Sequence, residues 1–336
     1  ILDSGAPNLI SKSLADQLGL TMASESKAID SRGHVGFMEI VTMDTIKIGS
    51  LAFTNTAALV YALDSITELH CMNVDGLIGS NLMRHAIWDI SYSEEKIIIT
   101  DDRGKLNIPE NAPLITFTTT VQGSPYFHAN YDDIKIKNIL FDLGSGGNLS
   151  VPQKSFNKII NREATTPIKG YGARSFGVFG SCYDTSYYAL IQKIHMGNIP
   201  VDSVLMSTEK NSRVSPILGT SVLRHYDFVI DWQRKEILLR NRDPGHRLKK
   251  SFGFGYGLEE NELKVMFVFD NSPASNAGIT AGTQILEIYG KDVEELSLEG
   301  YCSIRNFNFE EETIFLRIKK GDSSREVKLA KEYLFK

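Results

Sequence analysis

The chain has 336 residues, 42% hydrophobic and 23% charged, which is ample apolar side chain for packed cores and unlike a disordered segment. Its length suits two domains or three small ones. The formal net charge of −5 excludes the broad basic face of a general nucleic-acid binder, and the longest apolar run, Ala57 to Leu63, is far short of the roughly 20 residues of a transmembrane helix.

The chain opens on Ile1-Leu2-Asp3-Ser4-Gly5-Ala6-Pro7-Asn8-Leu9. Two apolar residues lead into Asp-Ser-Gly, which by itself reads as an Asx-turn at a strand end. A short helix is predicted over Ser11–Leu18. The turn Gly33-His34-Val35-Gly36 predicts a hairpin between β-branched segments, and Ile46-Lys47-Ile48-Gly49 ends another strand. Next come Leu77-Ile78-Gly79, a short helix near Ser80–His85, and strands from Trp88-Asp89-Ile90 to Ile97-Ile98-Ile99.

The same order then recurs. Strand patterns at Tyr126–Tyr131 and Ile134–Leu140 lead into Asp142-Leu143-Gly144-Ser145-Gly146-Gly147-Asn148-Leu149. Ile194-His195-Met196-Gly197 answers Ile46-Lys47-Ile48-Gly49, and Ile217-Leu218-Gly219 answers Leu77-Ile78-Gly79. A helix near Thr220–His225 follows, then strands from Ile230-Asp231-Trp232 to Ile237-Leu238-Leu239. Gly79 lies 76 positions after Asp3, and Gly219 lies 77 after Asp142. Ordered matches at nearly equal spacing mark a duplicated lobe. Only two residues precede Asp3, against a long strand pattern before Asp142. The leading strands of the first lobe, and any export signal, are expected to lie ahead of Ile1.

Beyond His246 the pattern changes. Ser251-Phe252-Gly253-Phe254, an alternating run Glu262–Phe269, a Ser272-Pro273-Ala274 start, a helix near Ser297–Arg305 and strands at Thr313–Lys319 and Arg325–Ala330 describe a third, small α+β domain. The expected division is 1–108, 109–245 and 246–336, with the basic stretch Arg240–Lys250 as a solvated linker. Gly253-Phe254-Gly255-Tyr256-Gly257 is not a dinucleotide loop, because a strand pattern and no helix follows it. Cys71, Cys182 and Cys302 stand 111 and 120 positions apart, which excludes a metal-ligand spacing or a disulfide framework but allows one disulfide with one thiol left over. No metal and no cofactor are expected.

Paired Asp-x-Gly loops supply a chemical motive for the duplication. Two carboxyls held together share a proton, so one takes a proton from water while the other gives one. Asp3-Ser4-Gly5-Ala6 with Leu77-Ile78-Gly79 resembles the retropepsin pattern, and Asp142-Leu143-Gly144-Ser145 with Asn148-Leu149-Ser150-Val151-Pro152 is similar to the pepsin pattern. Together they resemble bacterial single-chain, two-lobed aspartic proteases over roughly the first 240 residues.

The resemblance implies two pseudo-symmetric retropepsin- and pepsin-like β-barrel lobes, a mainly β fold, and Asp3 and Asp142 as the catalytic dyad. Ser4, Gly5, Leu143, Gly144, Gly79 and Gly219 would support it. Flaps would carry Gly33 and Gly36 in the first lobe, and Gly170-Tyr171-Gly172, with Tyr171 over a polypeptide substrate, in the second. Leu143 stands where the family has Thr or Ser, so Ser4 lacks a symmetric bracing hydroxyl; a weakly active or inactive peptide-binding scaffold is the competing expectation. The third domain resembles a PDZ domain, whose Phe252-Gly253-Phe254 loop would hold the C-terminal carboxylate of a peptide ligand. The resemblance further implies an exported protein, periplasmic or at the cell envelope.

Overall fold

The computed structural model describes residues 1–30, 33–174, 176–210, 216–241, 249–305 and 311–335. The fold is mainly β. In the first half six strands form one sheet in the order Leu2–Asp3, Gly76–Gly79, Leu9–Ser11, Leu51–Tyr61, Val35–Ile48 and Met22–Ile29. Gly76–Gly79 is inserted between two strands that adjoin each other in sequence. It runs parallel to Leu2–Asp3, with Asp3 opposite Gly79, and antiparallel to Leu9–Ser11, with Leu9 opposite Leu77. The chain leaving Asp3 therefore has to cross the end of the inserted strand, and that crossing makes the Asp loop.

The second half repeats the arrangement. Ile134–Phe141 runs parallel to Ile217–Leu218, and Leu149–Ser150 lies antiparallel on its other side. The hairpin of Asp184–Met196 with Ile199–Glu209 repeats that of Val35–Ile48 with Leu51–Tyr61. Both hairpins turn on a glycine with φ of +64° and +58°, at Gly197 and Gly49, a conformation that favours a residue without Cβ. The helix Gln153–Glu163, absent from the sequence-based expectation, buries Phe156, Ile159 and Ile160 on one stripe and stops at Ala164 in the left-handed region.

A five-stranded sheet joins the halves, ordered Lys96–Thr100, Ile87–Ser91, Tyr226–Asp231, Glu236–Asn241 and Leu114–Thr116. At its centre Ile90 pairs with Phe228 and Trp88 with Ile230. Equivalent residues of the halves are 140 positions apart, as Gly79 and Gly219 are, so this pairing maps onto itself when the halves exchange. One core extends through both halves, with Trp88, Phe127, Phe141 and Phe228 fully buried. Phe141, immediately before Asp142, packs edge-on against Phe228 at 5.3 Å between ring centroids, a favoured aromatic geometry.

One expectation needs correction here. Gly170-Tyr171-Gly172 does not close a turn. It lies within the strand Ile168–Gly172, flanked on one side by Asp184–Met196 and on the other by Glu262–Phe269 of the third unit. The glycines permit this close approach: a Cβ on Gly172 would stand 2.0 Å from the Met266 carbonyl oxygen, and one on Gly170 2.2 Å from the Phe267 ring. The turn of that hairpin lies further on, where Phe176–Gly177 pairs with Gly180–Ser181.

The third unit has its own core around Leu263, Val265, Ile285, Ile314 and Leu316. Its hairpin Phe254–Glu259 and Glu262–Phe269 extends the large sheet of the second half, while Lys291–Asp292, Ile285–Ile288, Thr313–Lys320 and Ser323–Ala330 form a separate sheet. Of the stretch Arg240–Lys250 expected as a solvated linker, Arg240 and Asn241 instead end the strand Glu236–Asn241, with Arg240 paired to Asp89. Residues 242–248, which hold the boundary expected near residue 245, lie outside the described residues. The third unit also holds the first half covalently: Cys302, on the helix Leu298–Arg305, forms a disulfide with Cys71, on the helix Thr67–Cys71. Arg305 reinforces it by donating to the Glu68 carbonyl at 2.9 Å. Cys182 remains a thiol.

A cross-link between residues 231 apart removes much freedom from the unfolded chain. The double variant Cys71→Ser, Cys302→Ser is expected to lose up to about 4 kcal/mol of stability. Thermal unfolding with and without a dithiol reductant checks this: reductant lowers the midpoint of the wild type and leaves that of the variant unchanged.

Candidate active site

The two Asp loops meet across the pseudo-two-fold, and each carboxylate is organised by its own loop. Asp3 Oδ1 accepts from the N–H groups of Gly5 and Ala6 at 2.8 and 3.0 Å. Asp142 Oδ1 accepts from those of Gly144 and Ser145 at 2.9 and 3.2 Å. The two carboxyls lie close enough to act directly on each other's protonation. Each loop's glycine faces the opposite aspartate. A Cβ on Gly5 would stand 2.7 Å from Asp142 Cγ, and one on Gly144 2.4 Å from Asp3 Cγ. Any larger residue at either position would drive the carboxyls apart.

Burial raises both acids above the ordinary carboxylate range. For Asp142 the shift reaches about 7, because burial is joined by the charge of Asp3. Two carboxyls this close and this buried resist carrying two negative charges, and can share one proton between them. Such a pair can in principle offer a base and an acid side by side.

The loops are braced from one side. Ser4, fully buried, donates from Oγ to the Phe141 carbonyl at 2.6 Å and accepts from the Leu143 N–H at 3.0 Å. Leu143 has no polar side-chain atom to return the pair of bonds and packs against the main core instead. Further support is symmetric. Ser80 donates from its backbone N–H and from Oγ to the Ala6 carbonyl at 2.8 and 3.1 Å, and Thr220 does the same to the Ser145 carbonyl at 2.7 and 2.9 Å. Gly79 and Gly219 allow the loops to lie this close: a Cβ would come within 2.1 Å of the Pro7 carbonyl carbon and 2.5 Å of the Gly147 oxygen.

Above the first loop, Met22–Ile29 and Val35–Ile48 form a hairpin whose turn is closed by the Gly33 N–H on the Asp30 carbonyl at 2.9 Å, with Gly33 at φ +83°. Gly36 sits on its returning strand, against Phe179 of the second half. Tyr171 is half exposed, with its ring tilted against that of Tyr183 at 6.3 Å between centroids. A residue absent from the sequence-based expectation is Tyr126, whose hydroxyl is pushed up first by burial and then by the charge of Asp142. Nothing but strand alternation marks it in the sequence.

In the third unit Phe252 is buried, Gly253 has φ +85° against Ser272, and Phe254 begins the edge strand of the large sheet. The Gly253 N–H donates to Ser251 Oγ at 3.0 Å. These residues border a groove of about 840 Å³ between the edge strand and the helix Leu298–Arg305, rimmed by Lys249, Lys250, Arg305 and Lys331. Among the described residues no group of three His, Cys, Asp or Glu is placed to hold a metal, and no helix is long and apolar enough to cross a membrane.

Residues 1–82 match the family model described as aspartyl protease. A retropepsin-like aspartic protease from Rickettsia conorii is similar in structure, at 15% sequence identity and a TM-score of 0.28, over 38% of this chain and 90% of that one. No curated protein matches the chain.

The shared proton has a consequence for stability. Between the ordinary value of 3.8 and about 7, folded Asp142 holds a proton that the unfolded chain has released, so stability falls as pH rises through that window. Asp142→Asn is expected to flatten the slope. Urea midpoints of both proteins at several pH values across the window test this, and equal slopes would refute the assignment.

Proposed function

We propose that the protein is an aspartic endopeptidase built from two pseudo-symmetric lobes, with Asp3 and Asp142 activating water. The observation that carries this is the pair of buried carboxyls facing each other across the two loops, each fixed by two backbone donors and each shifted upward by burial. The aspartyl-protease match over residues 1–82 supports it.

In this reading a peptide lies extended beneath the hairpin tips. Ionised Asp3 takes a proton from water as the oxygen attacks the scissile carbonyl, and Asp142 gives its proton to the carbonyl oxygen. This leaves a gem-diol with the shared proton now on Asp3. As the C–N bond breaks, Asp3 gives that proton to the departing amine nitrogen and Asp142 takes one from a diol hydroxyl, which becomes the new carboxylic acid, so the dyad ends as it began. Leu143 does not remove the brace that matters most, because Ser4 makes both bonds across the interface alone. That observation favours an active centre over an inert scaffold.

Either Asp3→Asn or Asp142→Asn is expected to lower kcat/KM by at least about 10³-fold. In the wild type, activity falls as pH rises past about 7, where Asp142 gives up its proton. A fluorogenic peptide library followed across acid and neutral pH measures both, and unchanged cleavage by the two variants would sink the reading.

We further propose that the third unit acts as a PDZ-like module, taking a peptide as an added strand along Phe254–Glu259. Tyr256 and Tyr301, edge-to-face at 6.5 Å, line its groove, and the cationic rim beside Phe252–Phe254 suits a terminal carboxylate. A peptide with a free C-terminus is expected to bind on the order of tenfold tighter than its C-terminal amide, since charge-assisted hydrogen bonds are the stronger kind. Calorimetric titration of the two peptides decides it, and equal affinities would remove the carboxylate role.

A further inference from the structure

The tips of the two hairpins meet in a chain of three side chains that the dyad does not use. Cys182, just past the turn of the second-half hairpin, places Sγ 3.0 Å from Nε2 of His34 in the first half. His34 Nδ1 lies 3.3 Å from Asp30 Oδ2. Backbone donors fix Asp30 in turn: Oδ1 accepts from the His34 N–H at 2.9 Å, and Oδ2 from the Phe179 N–H at 3.2 Å. The Asp30 side chain is 1% exposed, that of His34 35%, and Cys182 is half-buried.

The three groups run from sulfur to ring to carboxylate and do not converge on a point, an arrangement for passing a proton and not for holding a metal. A carboxylate only accepts, so the imidazole proton belongs on Nδ1, and Nε2 is left to accept from the thiol. A nucleophile, a base beside it and a third group that orients the base are the parts of an activated nucleophile. Exposure follows the same order: a small solute can reach the sulfur and the ring edge, while the carboxylate stays out of water. Of the chain's three cysteines the other two are bonded to each other, so Cys182 is its one thiol.

We propose that Cys182 is a modification site that exchanges with low-molecular-weight disulfides, with His34 taking its proton and Asp30 holding His34 in position. The sulfur attacks one sulfur of the small disulfide as its proton passes to Nε2. A new S–S bond forms to Cys182, that of the small disulfide breaks, and the departing thiolate takes the proton back from His34. The small disulfide is the oxidant, and one small thiol is released. The seam has no room for the added group, since Cys182 touches His34 directly and a Cβ on Gly177 would already stand 2.0 Å from Asp30 Oδ2. Modification therefore breaks the contact of Cys182 with His34 and loosens the two tips. Neither Asp3 nor Asp142 takes part, so this inference stands apart from the endopeptidase reading.

Exchange is timed by intact mass with bis(2-hydroxyethyl) disulfide, an uncharged reagent, at about pH 6, where an ordinary thiol is almost wholly protonated. The reference is a synthetic peptide of residues 178–187, which carries the same cysteine without His34. A merely structural thiol, shielded by the fold, reacts more slowly in the protein than in this peptide. Wild type is expected to react on the order of tenfold faster than the peptide, His34→Gln more slowly than the peptide, and Asp30→Asn between those two proteins. Cys182→Ser is expected to gain no mass. A wild-type rate at or below that of the peptide, a rate that His34→Gln leaves unchanged, or a mass gain by Cys182→Ser overturns the proposal. Hydrogen exchange reads the effect on the tips: amides of residues 33–37 and 176–180 are expected to exchange faster in the mixed disulfide than in the unmodified protein. Unchanged exchange in both segments overturns the loosening.

Discussion

Two carboxyl groups in contact away from water can carry only one negative charge between them without great cost, and most of the fold serves to impose that contact. Left to themselves the acids would separate and ionise in solvent. They are held by four backbone N–H donors, by two glycines that leave each carboxyl room against the opposite loop, and by one serine that spans the interface. The inserted strands behind the loops, and the five-stranded sheet behind those, fix where the loops stand. Acid–base chemistry and architecture are here one constraint seen at two scales.

Much of this is legible in the sequence because duplication prints each signal twice. Asp-x-Gly and the later Ile/Leu-Gly recur at matched spacing, and their glycines sit where backbone meets backbone or carboxyl, so only one residue type fits. The mainly β class follows equally from short β-branched runs between turn residues. Other features leave no distinctive print. Gly170 and Gly172 look like a turn because glycine is the same answer to two problems, a reversal of the chain and a close approach between strands. The true turn contains its own pair, Gly177 and Gly180, which could have pointed to it. The Cys71–Cys302 bond joins residues 231 apart and depends on how separate units dock, which no local pattern encodes. Tyr126 is set near Asp142 by strand register, on the face opposite the buried Phe127, Ala129 and Tyr131, and alternation alone cannot tell it from an ordinary outward-facing aromatic.

The departure at Leu143 shows how a symmetric device survives the loss of one half. In a symmetric pair of loops each hydroxyl would donate to one carbonyl and accept one N–H across the seam. Ser4 does this for the buried Phe141 carbonyl, where an unmade hydrogen bond costs about 1–3 kcal/mol, and for the partly buried Leu143 N–H. Leu143 spends its side chain on the core instead. One half of the seam is therefore tied by polar bonds and the other by apolar packing.

The third unit is fastened at two places, to the second half through the strand Glu262–Phe269 and to the first through Cys302. The halves are fastened to each other through their shared sheet. Two bodies joined along one seam can open like a book, whereas three bodies joined pairwise form a triangle, which cannot shear without stretching a side. The angle between the two halves is therefore set by three joints at once, and the Asp loops, which lie on the seam, inherit that rigidity.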